Sequence, residues 1–432
     1  MKKLKSKPSV AIALTMLTIL IVAPTQAQAD AVSDWNSFAI QRIGAATNPV
    51  HPTPVVFLDM AIVQIAIYDA VQAIEQQYQP YHVHIPGASG SPEAAAAKAA
   101  HDILVYLLPN QSGAIDDHYN QFLSDQKLSS LDPGIAVGAT AAAGIIALRS
   151  NDGRFPAGQI PFMGVNAIGE WRPTDSFQGT PPNPLPFSPM AAPWVAKVMP
   201  FALKSGDQYR ATPPPRLDSK QYTNAFNEVK AMGARFDSAR TTDQTNLAFF
   251  WASNYPALWN RVVRDLAVSH NLSIGDHARL SALVNLAMAD ATITAWDTKV
   301  TYNFWRPLTA IRLANEDPNP DTVEDPTWQP LINTPNYSDY SSGANNISAA
   351  ATRMFALFFG ADEMTFTVRT TNLTPGIPQT ITYSKFSDAA EDVVNVRIWQ
   401  GIHFRFADEE ARKQGRHVAQ WVYAHYLKPL DE

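Results

Sequence analysis

Three short strings in the last third of the chain carry the residue types that a phosphate-like oxyanion calls for: Lys299-V-T-Y-N-F-W-Arg306-Pro307, Ser341-Ser342-Gly343-Ala344-Asn345 and Arg397-I-W-Q-G-I-His403. A tetrahedral oxyanion needs charge neutralisation from several directions, with arginine offering a rigid donor fork and lysine a compact charge. Lys299 and Arg306 are seven apart, about two helical turns, so a continuous helix would place both on one face. Ser342-Gly343 precedes N-N-I-S-A-A-A-T-R-M-F-A-L-F-F-G, whose apolar spacing and terminal Gly360 predict a helix opening at the serine. Free amides at such an opening attract anions. His403 is the only one of the ten histidines near such a cation set, and an imidazole there can ligate a metal or act as a nucleophile. Each string alone is commonplace; the weight lies in all three occurring in order.

In that order the strings resemble the signature of the vanadium-dependent haloperoxidases and their relatives, the type 2 phosphatidic acid phosphatases and bacterial acid phosphatases. That signature reads K-x6-R-P, then P-S-G-H, then S-R-x5-H. The first block matches fully at Lys299, Arg306 and Pro307, the second at Ser342 and Gly343, and the third at Arg397 and His403. The flanking text A-D-A-T-I-T-A-W-D-T-K-V-T-Y-N-F-W-R-P and G-I-H-F-R-F-A-D is similar to the bacterial haloperoxidase branch. Related texture reaches back to the stretch from Ala61 to Ala70 and to Trp259-Asn260-Arg261, so the resemblance covers most of the chain after residue 29.

The resemblance implies a mainly α fold of two packed helical bundles with the pocket in the C-terminal one. It assigns Lys299, Arg306 and Arg397 to the equatorial oxygens of bound vanadate, Ser342 and the Gly343 amide to further donors, and His403 to the single protein ligand of vanadium. Peroxide, halide and an organic acceptor would then be the small-molecule substrates. In the phosphatase relatives the residue at the His403 position attacks phosphorus instead, which implies a phosphate ester as substrate and no cofactor.

The departures are as informative as the matches. Ser341 and Ala344 stand where the pattern has proline and histidine, and that histidine normally handles protons. General acid–base help is worth about 10² to 10⁴ in rate, so a catalytically degenerate oxyanion binder is a third reading. Val396 replaces the serine before the arginine. The carboxylate usual four residues after the ligand histidine falls on Ala407, with Asp408 one further on. One residue rotates a helical side chain by about 100°, so Asp408 orients His403 only with a backbone adjustment. Asn345, Asp339 and Tyr340 are the nearest polar candidates for the missing proton carrier. Asn345 does not titrate, and Asp339 needs an elevated pKa to serve at neutral pH. Asp290 and Asp297, also seven apart, read either as supporting carboxylates near Lys299 or, at least as readily, as ordinary helix-surface or capping groups.

Helical text must position these strings. F-L-D-M-A-I-V-Q-I-A-I-Y-D-A-V-Q-A-I-E from Phe57, S-P-E-A-A-A-A-K-A-A-H-D-I-L-V-Y-L-L from Ser91 and P-G-I-A-V-G-A-T-A-A-A-G-I-I-A-L-R from Pro133 have helical spacing. Ser91 and Pro92 suit an N-cap and first helical residue. Between 155 and 215 the pattern fails: thirteen of the 33 prolines fall there, which predicts a long ordered excursion over the body. Helices resume near Asp218 and dominate to Tyr426, with a hairpin expected within 365–383. The chain thus divides into 1–29, an N-terminal helical part over 30–217 that contains the excursion, and a C-terminal part over 218–432.

Residues 1–29 have four early lysines, an apolar run from Val10 to Val22 and Ala27-Gln28-Ala29, the layout of a cleavable export signal. No later segment of that kind is expected, so the mature protein is read as soluble and as secreted or periplasmic. A formal charge of −6 gives no electrostatic reason to expect nucleic acid. Zero cysteines exclude disulfides, thiol catalysis and thiolate metal sites. His82-x-His84 reads as a solvated loop, and His417 and His425 as part of a terminal helix.

Overall fold

Apolar residues recurring every three to four positions become helices along the whole chain, because a helix brings that spacing onto one packed face. The computed structural model describes residues 30–47, 50–174 and 188–430, so the expected export signal and part of the Pro-rich stretch lie outside the described residues. The helices are α1 (Ala31–Gly44), α2 (Thr53–Glu75), α3 (Pro92–Leu107), α4 (Ser112–Asp125), α5 (Pro133–Arg149), α6 (Lys220–Met232), α7 (Thr242–Phe250), α8 (Tyr255–Ser269), α9 (Ile274–Tyr302), α10 (Pro307–Arg312) and α11 (Gly343–Phe359). A two-stranded antiparallel hairpin, β1 (Glu363–Arg369) and β2 (Thr380–Lys385), leads into α12 (Phe386–Trp399) and α13 (Arg405–His425). The fold is mainly α, and the Thr-rich stretch forms the expected hairpin.

The three helices read from the N-terminal text are present and start on chemical signals. Ser91 accepts from the Ala94 amide with Pro92 as the first residue of α3, and Asp132 caps α5 through the Gly134 amide. One expectation changes at α2: with 23 residues and a mean hydropathy of 1.7 it is long and apolar enough to cross a membrane, although no such segment was expected after residue 29. Its apolar window is wholly buried, packed against α3, α5 and α9.

At the centre lies α9, whose 29 residues pack on α2 on one side and on α11 and α13 on the other. A helix buried on nearly all sides has no polar face to show, and Gly275 to Ala295 are buried with the single interruption of Asp276. The α11–α13 crossing is close enough that a Cβ on Gly415 would stand 2.0 Å from the Asn346 carbonyl oxygen, so only glycine fits there. The Ser342 amide, donating to Ala407 O at 3.1 Å, sets the start of α11 beside the start of α13.

The excursion lies over this C-terminal assembly and is tied down at intervals. Trp171 N donates to Asn303 O at 2.6 Å and Trp305 N to Gly169 O at 3.0 Å. Trp296 Nε1 donates to Ala191 O, and Tyr340 OH to Thr212 O. Asp290 accepts from the backbone amides of Phe201, Ala202 and Leu203 at 2.7–2.8 Å. Asp297 instead pairs with Arg210. Of the two readings the supporting one fails, since neither carboxylate pairs with Lys299: each serves to hold the excursion on α9.

Candidate active site

Lys299 sits in the last turn of α9, but the helix does not continue to Arg306. Asn303 adopts a left-handed conformation (φ 43°) that closes α9, and Pro307 keeps Arg306 out of the helical region, so Arg306 becomes the N-cap of α10. The expected continuous helix is thus a helix end, a turn and a helix start. The two cations still converge: Lys299 Nζ donates to the carbonyls of Ser338 (2.6 Å) and Asp339 (3.1 Å), and Arg306 Nε to that of Tyr337 (2.7 Å). The Tyr337 ring centre lies 4.8 Å from both charges.

The serine string opens α11 as predicted. Ser342 takes the N-cap position and Gly343 the first helical one, while a Cβ on Gly343 would meet the Trp296 ring at 3.2 Å. The third string also spans a break. Arg397 lies in the last turn of α12, Gly401 turns the chain at φ 78°, and His403 precedes α13. Arg397 Nη1 donates to Gln400 Oε1 at 2.7 Å, and Gln400 in turn donates to Ala248 O.

Lys299, Arg306, Ser342 and His403 are completely buried, and Arg397 is 6% exposed. Arg306 Nη1 donates to Ile402 O and approaches His403 Nε2 at 3.0 Å. Asp339 Oδ1 stands 2.7 Å from His403 Nδ1. An imidazole that accepts at Nε2 carries its proton on Nδ1, facing that carboxylate. Burial, and then the cations Arg306, Arg397 and Lys299, hold His403 well below the ordinary imidazole range, so it is neutral at neutral pH. Burial likewise carries Lys299 far down, with Arg306 adding to the effect. The Asp339 carboxyl is pushed up to about 7, chiefly by burial and against the pull of Arg306 and Lys299.

One expectation is corrected here. Asp408 does not orient His403; the single-residue offset turns it toward α11, where Asn345 Nδ2 donates to its Oδ1 at 2.7 Å. The carboxylate on the histidine is Asp339. Its proximity has no hydrogen-bond alignment, and both of its oxygens lack a hydrogen-bond partner.

Buried polar groups are nearly always paired, yet orphans gather in this cluster. Arg306 Nη2, Arg397 Nε, both Asp339 oxygens, Asn345 Oδ1 and Asp408 Oδ2 have no partner. Two of these are guanidinium N–H groups, of Arg306 and Arg397, in the surroundings of a neutral imidazole. A donor set of that kind fits a bound tetrahedral oxyanion. Tyr337, Trp296 and Gln400 escaped the sequence reading; Trp296, one helical turn before Lys299, is the one whose spacing carried a signal.

Residues 279–432 match the family model described as the VCPO second helical-bundle domain. Vanadium chloroperoxidase of Curvularia inaequalis is 30% identical over 216 residues, covering 41% of this chain and 35% of that protein. The match thus spans about a third of the curated relative's length. A structure described as the first bacterial vanadium-dependent iodoperoxidase is similar with a TM-score of 0.76 at 24% identity, covering 92% of this chain and 97% of that one. A holo-type bacterial vanadium-dependent chloroperoxidase gives 0.70 at 17%, with 93% of each chain covered. The chain has the helical fold of these haloperoxidases.

Proposed function

We propose that this chain, whose residues 279–432 form a VCPO second helical bundle, binds vanadate among Lys299, Arg306, Arg397 and His403 and oxidises halide with hydrogen peroxide. The observation that carries this reading is the orphaned guanidinium N–H groups of Arg306 and Arg397 buried beside a neutral His403. Arg306, Arg397 and Lys299 would hold the oxyanion's charge, Ser342 and the Gly343 amide would donate to it, and His403 Nε2 would be its protein ligand. Bound vanadate supplies a Lewis-acidic centre that activates peroxide toward halide. The Asp339 carboxyl beside His403 Nδ1 would favour the imidazole proton there by its charge and so leave the Nε2 lone pair to the ligand. The rings of Trp296 and Tyr337, centred 5.9 and 4.8 Å from Lys299 Nζ, would exclude water from the cation cluster.

Ala344 favours a second reading, an oxyanion binder with slow turnover, because a methyl group transfers no proton. A phosphomonoesterase acting through His403 shares the same pocket. One experiment separates the three: apo-protein loaded with vanadate and given peroxide and bromide, in parallel with phosphate-ester hydrolysis without vanadate. Vanadate-dependent bromination that phosphate inhibits supports the first; vanadate binding without bromination supports the second; ester hydrolysis alone supports the third. Export through residues 1–29 belongs to the same proposal, and N-terminal sequencing of the secreted protein tests it.

A further inference from the structure

We infer that Asp408, acting through Ser342, supplies the proton handling that the alanine at 344 does not. The inference rests on the oxyanion-site reading above. Asp408 is completely buried near the start of α13, where the Ser342 amide donates to Ala407 O at 3.1 Å. Asn345 Nδ2 clamps the arrangement, donating to Asp408 Oδ1 at 2.7 Å and lying 3.3 Å from Ser342 Oγ. The Ser342 hydroxyl faces the same carboxyl. Asp408 Oδ2 has no partner, so the carboxyl retains a site for a proton that nothing else in the fold claims.

The other groups nearby are committed or unsuited. Asp339 faces His403 on the ligand side, Asn345 does not titrate, and Lys299 spends two of its donors on backbone carbonyls. From 338 to 352 only Ala344 is not buried, and its methyl group, next but one to Ser342 in sequence, has no proton to give. Arg397 from α12 and Lys299 from α9 favour the Asp408 carboxylate, whereas Asp339 and the Tyr255 hydroxyl from α8 oppose it. Burial outweighs the cations and holds Asp408 well above the usual carboxylate range.

In the step, the Asp408 O–H bond breaks as its proton passes to Ser342 Oγ, and Ser342 releases its own proton to a substrate oxygen. Hydrogen peroxide, the incoming co-substrate, returns one proton by the same route, so serine and carboxyl end as they began. Asp408 is a positioning residue in this scheme, and Ser342 is the one that touches substrate.

Three measurements on the full chain test this, using inorganic vanadate as the probe. In infrared difference spectra of vanadate addition, wild type shows a protonated-carboxyl stretch that disappears in Asp408→Asn. Asp408→Asn binds vanadate within about threefold of wild type but brominates about 100-fold more slowly, with a changed pH profile. Ser342→Ala, which leaves the carboxyl in place, shows the same kinetic loss. An unchanged rate and profile in Asp408→Asn, or no carboxyl band in wild type, overturns the inference. Wild type that binds vanadate without brominating also overturns it and leaves the oxyanion reading standing. Failure to bind vanadate removes that reading and the inference with it.

Discussion

Asp69 and Asp290 in the body of the fold and Asp339 and Asp408 in the site are all completely buried carboxyls, yet they are treated oppositely. Asp69 receives the amides of Tyr81, His82 and Val83, and Asp290 those of Phe201, Ala202 and Leu203. Each grips three successive N–H groups of a returning segment and so replaces the water that burial removed. Asp339 keeps two orphaned oxygens and Asp408 one. A saturated buried carboxylate is a fastening, whereas an unsaturated one among unsatisfied cations marks a place that a ligand completes. Burial by itself does not tell them apart; the count of satisfied lone pairs does.

The largest effect that bears on this contrast is on stability. Asp290→Ala orphans three backbone amides and should cost about 3 kcal/mol or more, read from urea unfolding with the excursion released. Asp408→Ala should cost less, since it takes the acceptor from one side-chain donor, Asn345 Nδ2, in place of three backbone amides. Equal losses in the two variants would erase the distinction. Next come the cations: Arg306→Met or Arg397→Met removes a charge-assisted donor worth about 1.5–3 kcal/mol, roughly a 10- to 100-fold weakening of vanadate and phosphate binding by calorimetry. Unfolding midpoints should move less than in Asp290→Ala, since fewer buried backbone partners are left unpaired.

A smaller, signed effect concerns pH. The folded Asp339 carboxyl sits near 7 against 3.8 for its reference value, so between those limits the folded state binds the extra proton. Its contribution to stability is therefore present at low pH and is lost as pH rises toward 7. Unfolding free energies of wild type relative to Asp339→Asn should fall across that window, and parallel curves would contradict the assignment. The smallest expected effect is a rescue: Ala344→His should raise bromination modestly in wild type and more in the Asp408→Asn background. No gain in either would show that the 344 position is not where proton handling was lost.

Much of the fold was legible because its signals are local. Ser91-Pro92 opens α3, Gly360 at φ 75° closes α11, and the Thr-rich segment folds on itself. The failures occurred where a neighbour overruled a pattern. Seven-residue spacing suggested one helix through Lys299 and Arg306, but Asn303 and Pro307 break it, and the two charges meet because the 337–339 loop offers carbonyls to both. Spacing alone left Asp290 and Asp297 open between helpers of Lys299 and ordinary helix-surface or capping groups; their partners lie 87 to 89 residues away in the excursion. Asp339 looked like one of several polar neighbours of a missing histidine, and only the turn after Gly401 reveals it facing His403.

The residue types alone determined the cation set, the lone histidine, the alanine at 344 and a mainly helical chain, since charge, hydrogen-bonding capacity and helical period reside in the residues themselves. Tertiary structure decided which carboxylate serves which partner. Asp408 turns from His403 to Asn345, and Asp339 takes its place, through the close α11–α13 crossing at Gly415 and the left-handed turn at Gly401. Those are distances between segments remote in sequence. A side chain's role as fastening or as waiting donor depends on what the rest of the chain brings within about 3 Å of it.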